Sequence, residues 1–196
     1  TLTALQNLGM YARRRTSAKI IAVTGSVGKT GTKDALFHIL SSQGQTTASE
    51  ASYNNHFGVP LSLARMNADD KFGIFEIGMS QKGEIAQLSK LVQPHIAIIT
   101  TIEAAHIEFF KNLKEIADAK AEIFRGLDKK GTAILNIDNP HFVQLQDTAR
   151  KEQIKNIISF GSKKTANAKI ISSTESTEGS DNEAIICGQR IRYGLN

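Results

Sequence analysis

The chain has 196 residues, a formal net charge of +5, 40% hydrophobic and 22% charged content, and one cysteine, Cys187. That is ample for one large globular domain, and no apolar run approaches the roughly 18–20 residues of a membrane-spanning helix, which excludes a membrane span. The single cysteine excludes an internal disulfide and fits the cytoplasm, while the basic residues are scattered apart from Arg13-Arg14-Arg15, read as a solvated helix end; with no aromatic platform or recognition motif, nucleic acid is excluded as a partner and the charge suits anionic nucleotides.

Residues 2–14 read as a helix with Leu2, Leu5, Leu8 and Ala12 on one side. Residues 19–24 form an apolar strand that runs straight into Thr24-Gly25-Ser26-Val27-Gly28-Lys29-Thr30-Gly31. A strand, a glycine turn and a Lys-Thr pair make a phosphate-binding loop. Glycines let backbone N–H groups close around phosphate oxygens, the lysine reaches the terminal phosphates, and the threonine hydroxyl sits on Mg²⁺. The helix that follows points its positive end at the same anion. The usual spacing has a glycine where this chain has Val23; the shorter Thr-Gly-x-x-Gly-Lys-Thr form remains.

The helix after the loop spans 29–41, with Leu36, Phe37 and Leu40 inward and Gly44 as its stop. Asn54-Asn55-His56-Phe57-Gly58-Val59-Pro60 is a polar loop before a helix at 61–66. The runs 72–77, 95–100, 132–136 and 156–160 read as buried strands, alternating with helices at 82–92, 112–126 and 140–152. Strand–helix alternation implies βαβ units and a parallel sheet with ligands at the carboxyl ends of the strands. After Gly161 the character changes to short strands at 168–173, 184–187 and 190–193, with a hairpin turn at Gly188-Gln189 and a loose loop over Ser172–Asn182. The fold expected is α/β: a three-layer, mostly parallel sheet flanked by helices, with a small antiparallel β extension over 162–196 that belongs to the same domain as 1–161.

Several residues stand where chemistry is possible. Glu76 ends a strand on the rim of the phosphate loop, where a carboxylate binds Mg²⁺ or is simply a solvated strand end. His106 follows the next strand onto the same rim, as a metal or substrate contact or a structural histidine. Asn54 and Asn55 sit in a loop that holds substrate or terminal phosphate, or merely connects. Asn136 is a candidate reader of a nucleotide base, and Asp138 or Asn139 caps the next helix. Lys120 is the anomaly. At about 100° per residue it falls inside the apolar stripe Leu113, Ile116, Ala117, Ile123, Phe124 and Leu127, opposite Lys114, Glu115, Asp118, Glu122 and Arg125. Such an ammonium either snorkels to water or is buried with a lowered pKa. A neutral lysine adds CO₂ to give a carbamate, an anionic oxygen ligand for Mg²⁺.

Together, Ala22–Thr30, Asn54–Pro60, Glu76-Ile77-Gly78, Gly83-Glu84-Ile85, Ala105-His106, Ala119–Phe124 and Asn136–Asn139 resemble, in order, the central ATPase domain of the Mur ligase family. The resemblance covers residues 1–161. It implies an ATP-dependent amide ligase of peptidoglycan precursor synthesis, and the paired asparagines favour the member that adds D-alanyl-D-alanine to UDP-N-acetylmuramoyl-tripeptide. It also implies that Lys29 holds the terminal phosphates, that Thr30 and Glu76 serve one Mg²⁺, that Glu76, His106 and carbamylated Lys120 surround a second, and that Asn136 contacts adenine. Family members carry an N-terminal UDP-binding domain and a C-terminal domain that closes over ATP. Neither is recognised in these residues, so this chain alone is expected to bind nucleotide weakly at most and not to ligate, as a monomer. The competing readings are another Mur-type or folylpolyglutamate-type ligase, and a P-loop module without ligase chemistry.

Overall fold

The computed structural model describes residues 1–104, 109–177 and 179–195. His106 and its neighbours 105, 107 and 108 lie outside the described residues. The elements in chain order are α1 (Leu2–Arg14), β1 (Lys19–Thr24), α2 (Lys29–Ser41), β2 (Thr46–Ala48), α3 (Gly58–Ala64), β3 (Phe72–Glu76), α4 (Glu84–Val92), β4 (Ile96–Ile99), α5 (Leu113–Ala121) continued by a 3₁₀ turn (Glu122–Arg125), β5 (Thr132–Asn136), α6 (Phe142–Lys151), β6 (Asn156–Phe160), β7 (Ala168–Ser176), β8 (Gly179–Ile186) and β9 (Gln189–Leu195).

Among the described residues the strands form one sheet in the order β2-β3-β1-β4-β5-β6-β7-β8-β9. The strands β2 to β6 are mutually parallel, and β7, β8 and β9 pair antiparallel. The two parts join through a single parallel partner pair, Phe160 with Ala168. Chain order reverses around β1, so the phosphate loop leaves the sheet at its switch point, where open α/β sheets bind ligands. Alternation along β1 separates two cores. Ile20 and Ala22 join Phe75, Ile99, Leu135, Ile116 and Phe124 on one face, while Ile21 and Val23 join Ile74 and Ile98 beneath Leu36 and Leu40 of α2. Glu76, one residue after Phe75, therefore faces α2.

The structure corrects the sequence reading at several points. Phe37 is exposed, and the buried residue of α2 is Lys33, whose Nζ donates to the carbonyls of Ser49 (2.9 Å) and Ala51 (3.1 Å). Leu8 and Leu113 are exposed as well. Three residues of β2 escaped notice because they are too short to carry a period. Helix α3 begins at Gly58, three residues before the expected start; Pro60 lies in its first turn, where a missing N–H does no harm. Much of the expected loose loop Ser172–Asn182 is ladder, with Ser173 opposite Asn182 and Thr174 opposite Asp181. A continuous polar run exposed on both faces carries no period of two, so its composition reads as a loop although its backbone pairs as a ladder. The hairpin turns at Cys187-Gly188, both at positive φ, as a two-residue I′ turn requires.

The Arg13–Arg15 cluster is also not simply solvated. Arg13 donates to the carbonyls of Val92 (2.8 Å) and Gln93 (2.9 Å), and Arg15 to that of Met66 (2.6 Å). The two cations close the C-terminal ends of α4 and α3, where the helix dipole favours positive charge.

Candidate functional site

The loop 24–30 is built around Thr100. Gly25 has φ +151°, and a Cβ there would run into Thr100 Oγ1. Thr100 Oγ1 also donates to Val27 O (2.6 Å), while Ser26 Oγ donates to Glu103 O (3.0 Å) and accepts from Glu103 N (2.9 Å). Gly28 at φ +81° turns the chain into α2 and stands at its N-cap without a side chain of its own to fill the space. Lys29 Nζ lies over the loop, donating to Gly25 O (3.0 Å) and Ser26 O (3.4 Å). An ammonium held against the loop's own carbonyls is at hand for phosphate oxygens that enter it. Gly31 is open, with nothing near the position of a Cβ.

Glu76 is 1% exposed and uses both carboxylate oxygens. One accepts from Thr30 Oγ1 (2.8 Å), the other from Asn54 Nδ2 (2.7 Å). The backbone fixes this meeting: Glu76 is register partner of Val23, just before the phosphate loop, and Gly78 N donates to Asn54 O (2.8 Å). Thr30 and Glu76 thus present hard oxygen donors side by side, a set that fits a divalent cation such as Mg²⁺. Asn54 is a partner of the acid, a role the sequence reading missed. Asn55 differs: its Oδ1 accepts from the N–H groups of Phe57 (3.0 Å) and Gly58 (2.9 Å), which holds the start of α3.

Lys29, Asn54, Asn55 and Lys120 line one cavity of 630 Å³. Lys120 is 3% exposed, and its side chain makes no hydrogen bond or ion pair among the described residues. Burial first, and the Lys29 ammonium second, pull its pKa from 10.5 down to about 7. A sizeable fraction of the amine is neutral at physiological pH, the state that adds CO₂. Two residues on, Glu122 is buried, not solvated as expected. Its carboxylate accepts from Gly83 N (2.9 and 3.0 Å) and Ala86 N (3.2 Å), closing the N-terminus of α4. Asn136 stands apart from the cavity, at the end of β5. Its amide donates to Thr100 O (3.4 Å) and accepts from Asp138 N (2.9 Å). Asn139 bonds Thr101 Oγ1 (3.1 Å) and Ile102 O (3.0 Å), so it ties β4's exit to the next helix.

A glycine loop at the switch point of a parallel sheet, with lysine, threonine and a strand-end carboxylate in register, defines a P-loop-type phosphate-binding α/β domain. Residues 23–191 match the Mur ligase middle domain, and the chain belongs to that family. It is 44% identical over 168 residues to the UDP-N-acetylmuramoyl-tripeptide--D-alanyl-D-alanine ligase of Rickettsia prowazekii (strain Madrid E), covering 86% of this chain and 37% of the relative. The solved UDP-N-acetylmuramoylalanyl-D-glutamyl-2,6-diaminopimelate--D-alanyl-D-alanyl ligase of Acinetobacter baumannii superposes with a TM-score of 0.89 at 31% identity, over 99% of this chain and 42% of that one. The Thermotoga maritima MurF ligase, solved in complex with ADP, has a TM-score of 0.87 at 24% identity, over 100% of this chain and 44% of that one, and shares the fold. The chain spans less than half the length of these relatives.

Proposed function

We propose that these residues form the ATP-binding central domain of an amide ligase that adds D-alanyl-D-alanine to UDP-N-acetylmuramoyl-tripeptide. The observation that carries the reading is one cavity lined by Lys29 of the phosphate loop, by Asn54, which holds Glu76 of the Thr30–Glu76 oxygen set just behind it, and by the buried Lys120, whose amine has no partner among the described residues. A nucleotide switch needs the first two and has no use for the third.

In this reading a carboxylate oxygen of the tripeptide attacks the terminal phosphorus of ATP, and ADP leaves. The amine nitrogen of D-alanyl-D-alanine then attacks the acyl carbon and loses a proton, and phosphate departs as the amide forms. Phosphoryl transfer of this kind depends on position and charge neutralisation more than on covalent help from the protein. Lys29 and the N–H groups of residues 27–30 hold the phosphates, the Ser26 N–H being spent on Thr101 O. Thr30 and Glu76 would hold Mg²⁺, which neutralises phosphate charge when bound, and Asn54 fixes the acid that does so. Lys120 as a carbamate would add an anionic oxygen to the same cleft, with His106 assigned beside it by resemblance. Asn136 retains the adenine role as a proposal, although its amide already serves Thr100 and Asp138.

The test is ligation by a complete chain carrying this domain, given ATP, Mg²⁺, the UDP-linked tripeptide and D-alanyl-D-alanine. Phosphate release coupled to the pentapeptide product is expected. ATP turnover with no amide product, or none at all, would overturn the reading.

A further inference from the structure

The cavity does not end at the reacting groups. It runs from Lys29 and Lys120 to a wall made of two helices, with Gln6 and Met10 of α1 facing Gln87, Lys90 and Leu91 of α4. The spacing is helical on both sides: residues 6 and 10, and 87 with 90 and 91, are each one turn apart and share a face. Helix α1 is held in place from behind. Gly9 lies so close to α3 that a Cβ would stand 3.0 Å from Pro60 O, and Arg13 ties α1 to the end of α4. The wall is therefore fixed before any ligand arrives.

Its polar groups are unspent. The side chains of Gln6, Gln87 and Lys90 make no hydrogen bond or ion pair among the described residues. The carboxylate that lines the cavity, Glu84, is turned onto the backbone N–H groups of Ser80 (2.6 Å) and Gln81 (3.2 Å). With Glu84 so engaged and Lys120 partly neutral, the cations that line the cleft are Lys29 at the phosphate loop and Lys90 on the wall. Side-chain amides beside Met10, Leu88 and Leu91 suit a peptide backbone with aliphatic side chains. A cation beyond the reacting end suits a second negative charge on the same ligand.

We propose that the α1–α4 wall is the subsite for the peptide stem of the acidic substrate, and that Lys90 pairs with a carboxylate other than the one activated. The assignment rests on the ligase reading above. The Acinetobacter relative's name specifies a glutamyl residue within the acceptor peptide, before the diaminopimelate whose acyl group is extended. Its free carboxylate is a group of the required charge, set back from the reacting carbonyl. Lys90 is then a specificity residue that favours the peptide with that carboxylate free.

The experiment uses the complete ligase chain and two acceptors, the UDP-linked tripeptide and its analogue with the glutamyl carboxylate amidated. A charge-assisted hydrogen bond is worth about tenfold or more in binding. Lys90→Met is expected to raise KM for the natural acceptor about tenfold, with KM for ATP and for D-alanyl-D-alanine unmoved. Lys90→Arg restores most of the loss. Wild type discriminates against the amidated acceptor by the same factor, and Lys90→Met does not discriminate. General damage to the fold would move all three KM values together. If wild type ligates while Lys90→Met keeps the natural KM, or still distinguishes the two acceptors, this assignment fails alone. A wild type that ligates neither acceptor overturns the ligase reading and the subsite with it.

Discussion

Replacing Lys120 by methionine should make this domain more stable. The residue is 3% exposed, and its ammonium is unpartnered among the described residues and repelled by Lys29. Its pKa falls from 10.5 to about 7 on folding, which at about 1.4 kcal/mol for each tenfold change in proton affinity corresponds to about 5 kcal/mol. Below pH 7 the amine is protonated in both states, and the folded state bears the full penalty. Between pH 7 and 10.5 the unfolded chain binds the proton that the folded chain has released, so stability rises with pH. Methionine fills a similar volume without charge. Water in the cleft relieves part of the penalty, so the gain expected at pH 6.5 is about 2–4 kcal/mol. Urea denaturation of wild type and Lys120→Met in CO₂-free buffer, at pH 6.5 and at pH 10, measures it. The gap should narrow steadily toward the higher pH. A variant no more stable than wild type at pH 6.5, or a gap indifferent to pH, would mean that the ammonium has found a partner or bulk water.

Three further outcomes follow from single contacts. Gly25→Ala, with its Cβ forced against Thr100 and a positive φ to maintain, should lower stability by about 1–3 kcal/mol and abolish nucleotide binding, read by thermal melting and by titration with a fluorescent ATP analogue. Glu76→Gln should weaken ATP binding about tenfold or more in Mg²⁺ while leaving metal-free binding in EDTA nearly unchanged; equal losses in both buffers would remove Glu76 from the cation site. Glu122→Ala leaves the N–H groups of Gly83 and Ala86 without their acceptor, and a loss of about 2–3 kcal/mol is expected by urea denaturation, with Glu122→Gln less affected.

The parallel half of the fold was legible because each strand is a short apolar run and each helix carries a stripe. The strands 19–24, 132–136 and 156–160 match their observed ends. The antiparallel end was only half legible, since its strands bury little and include a continuous polar run that imitates a loop. In the site, Lys29, Thr30 and Glu76 could be placed in advance, because a loop pinned to the ends of neighbouring strands leaves little freedom. The partner of Glu76 could not be. Asn54 lies 22 residues away in sequence, and nothing local distinguishes an amide aimed at a carboxylate from one aimed at a ligand. Lys33 was missed although the signal existed: it shares a stripe with Leu36 and Leu40, the same pattern that singled out Lys120.

Those two lysines show what an apolar stripe by itself cannot decide. Among the described residues five charged side chains are buried: Lys33, Asp70, Glu76, Lys120 and Glu122. Four have partners. Lys33 holds two carbonyls and Asp34, Asp70 accepts from Thr47 and from the backbone of Asn67, Glu76 holds Thr30 and Asn54, and Glu122 holds the head of α4. Each of these joins segments distant in sequence or fixes a turn, and the hydrogen bonds offset the loss of water, with one oxygen of Asp70, Oδ1, left without a partner among the described residues. Lys120 joins nothing. A buried charge without partners persists in a fold only where something besides stability retains it, and here the amine opens onto the cavity that also holds Lys29 and Asn54. The lysine that sequence periodicity flags is a structural tie in one helix and an unpartnered amine on the cavity in another, and the neighbouring carbonyls, not the stripe, make the difference.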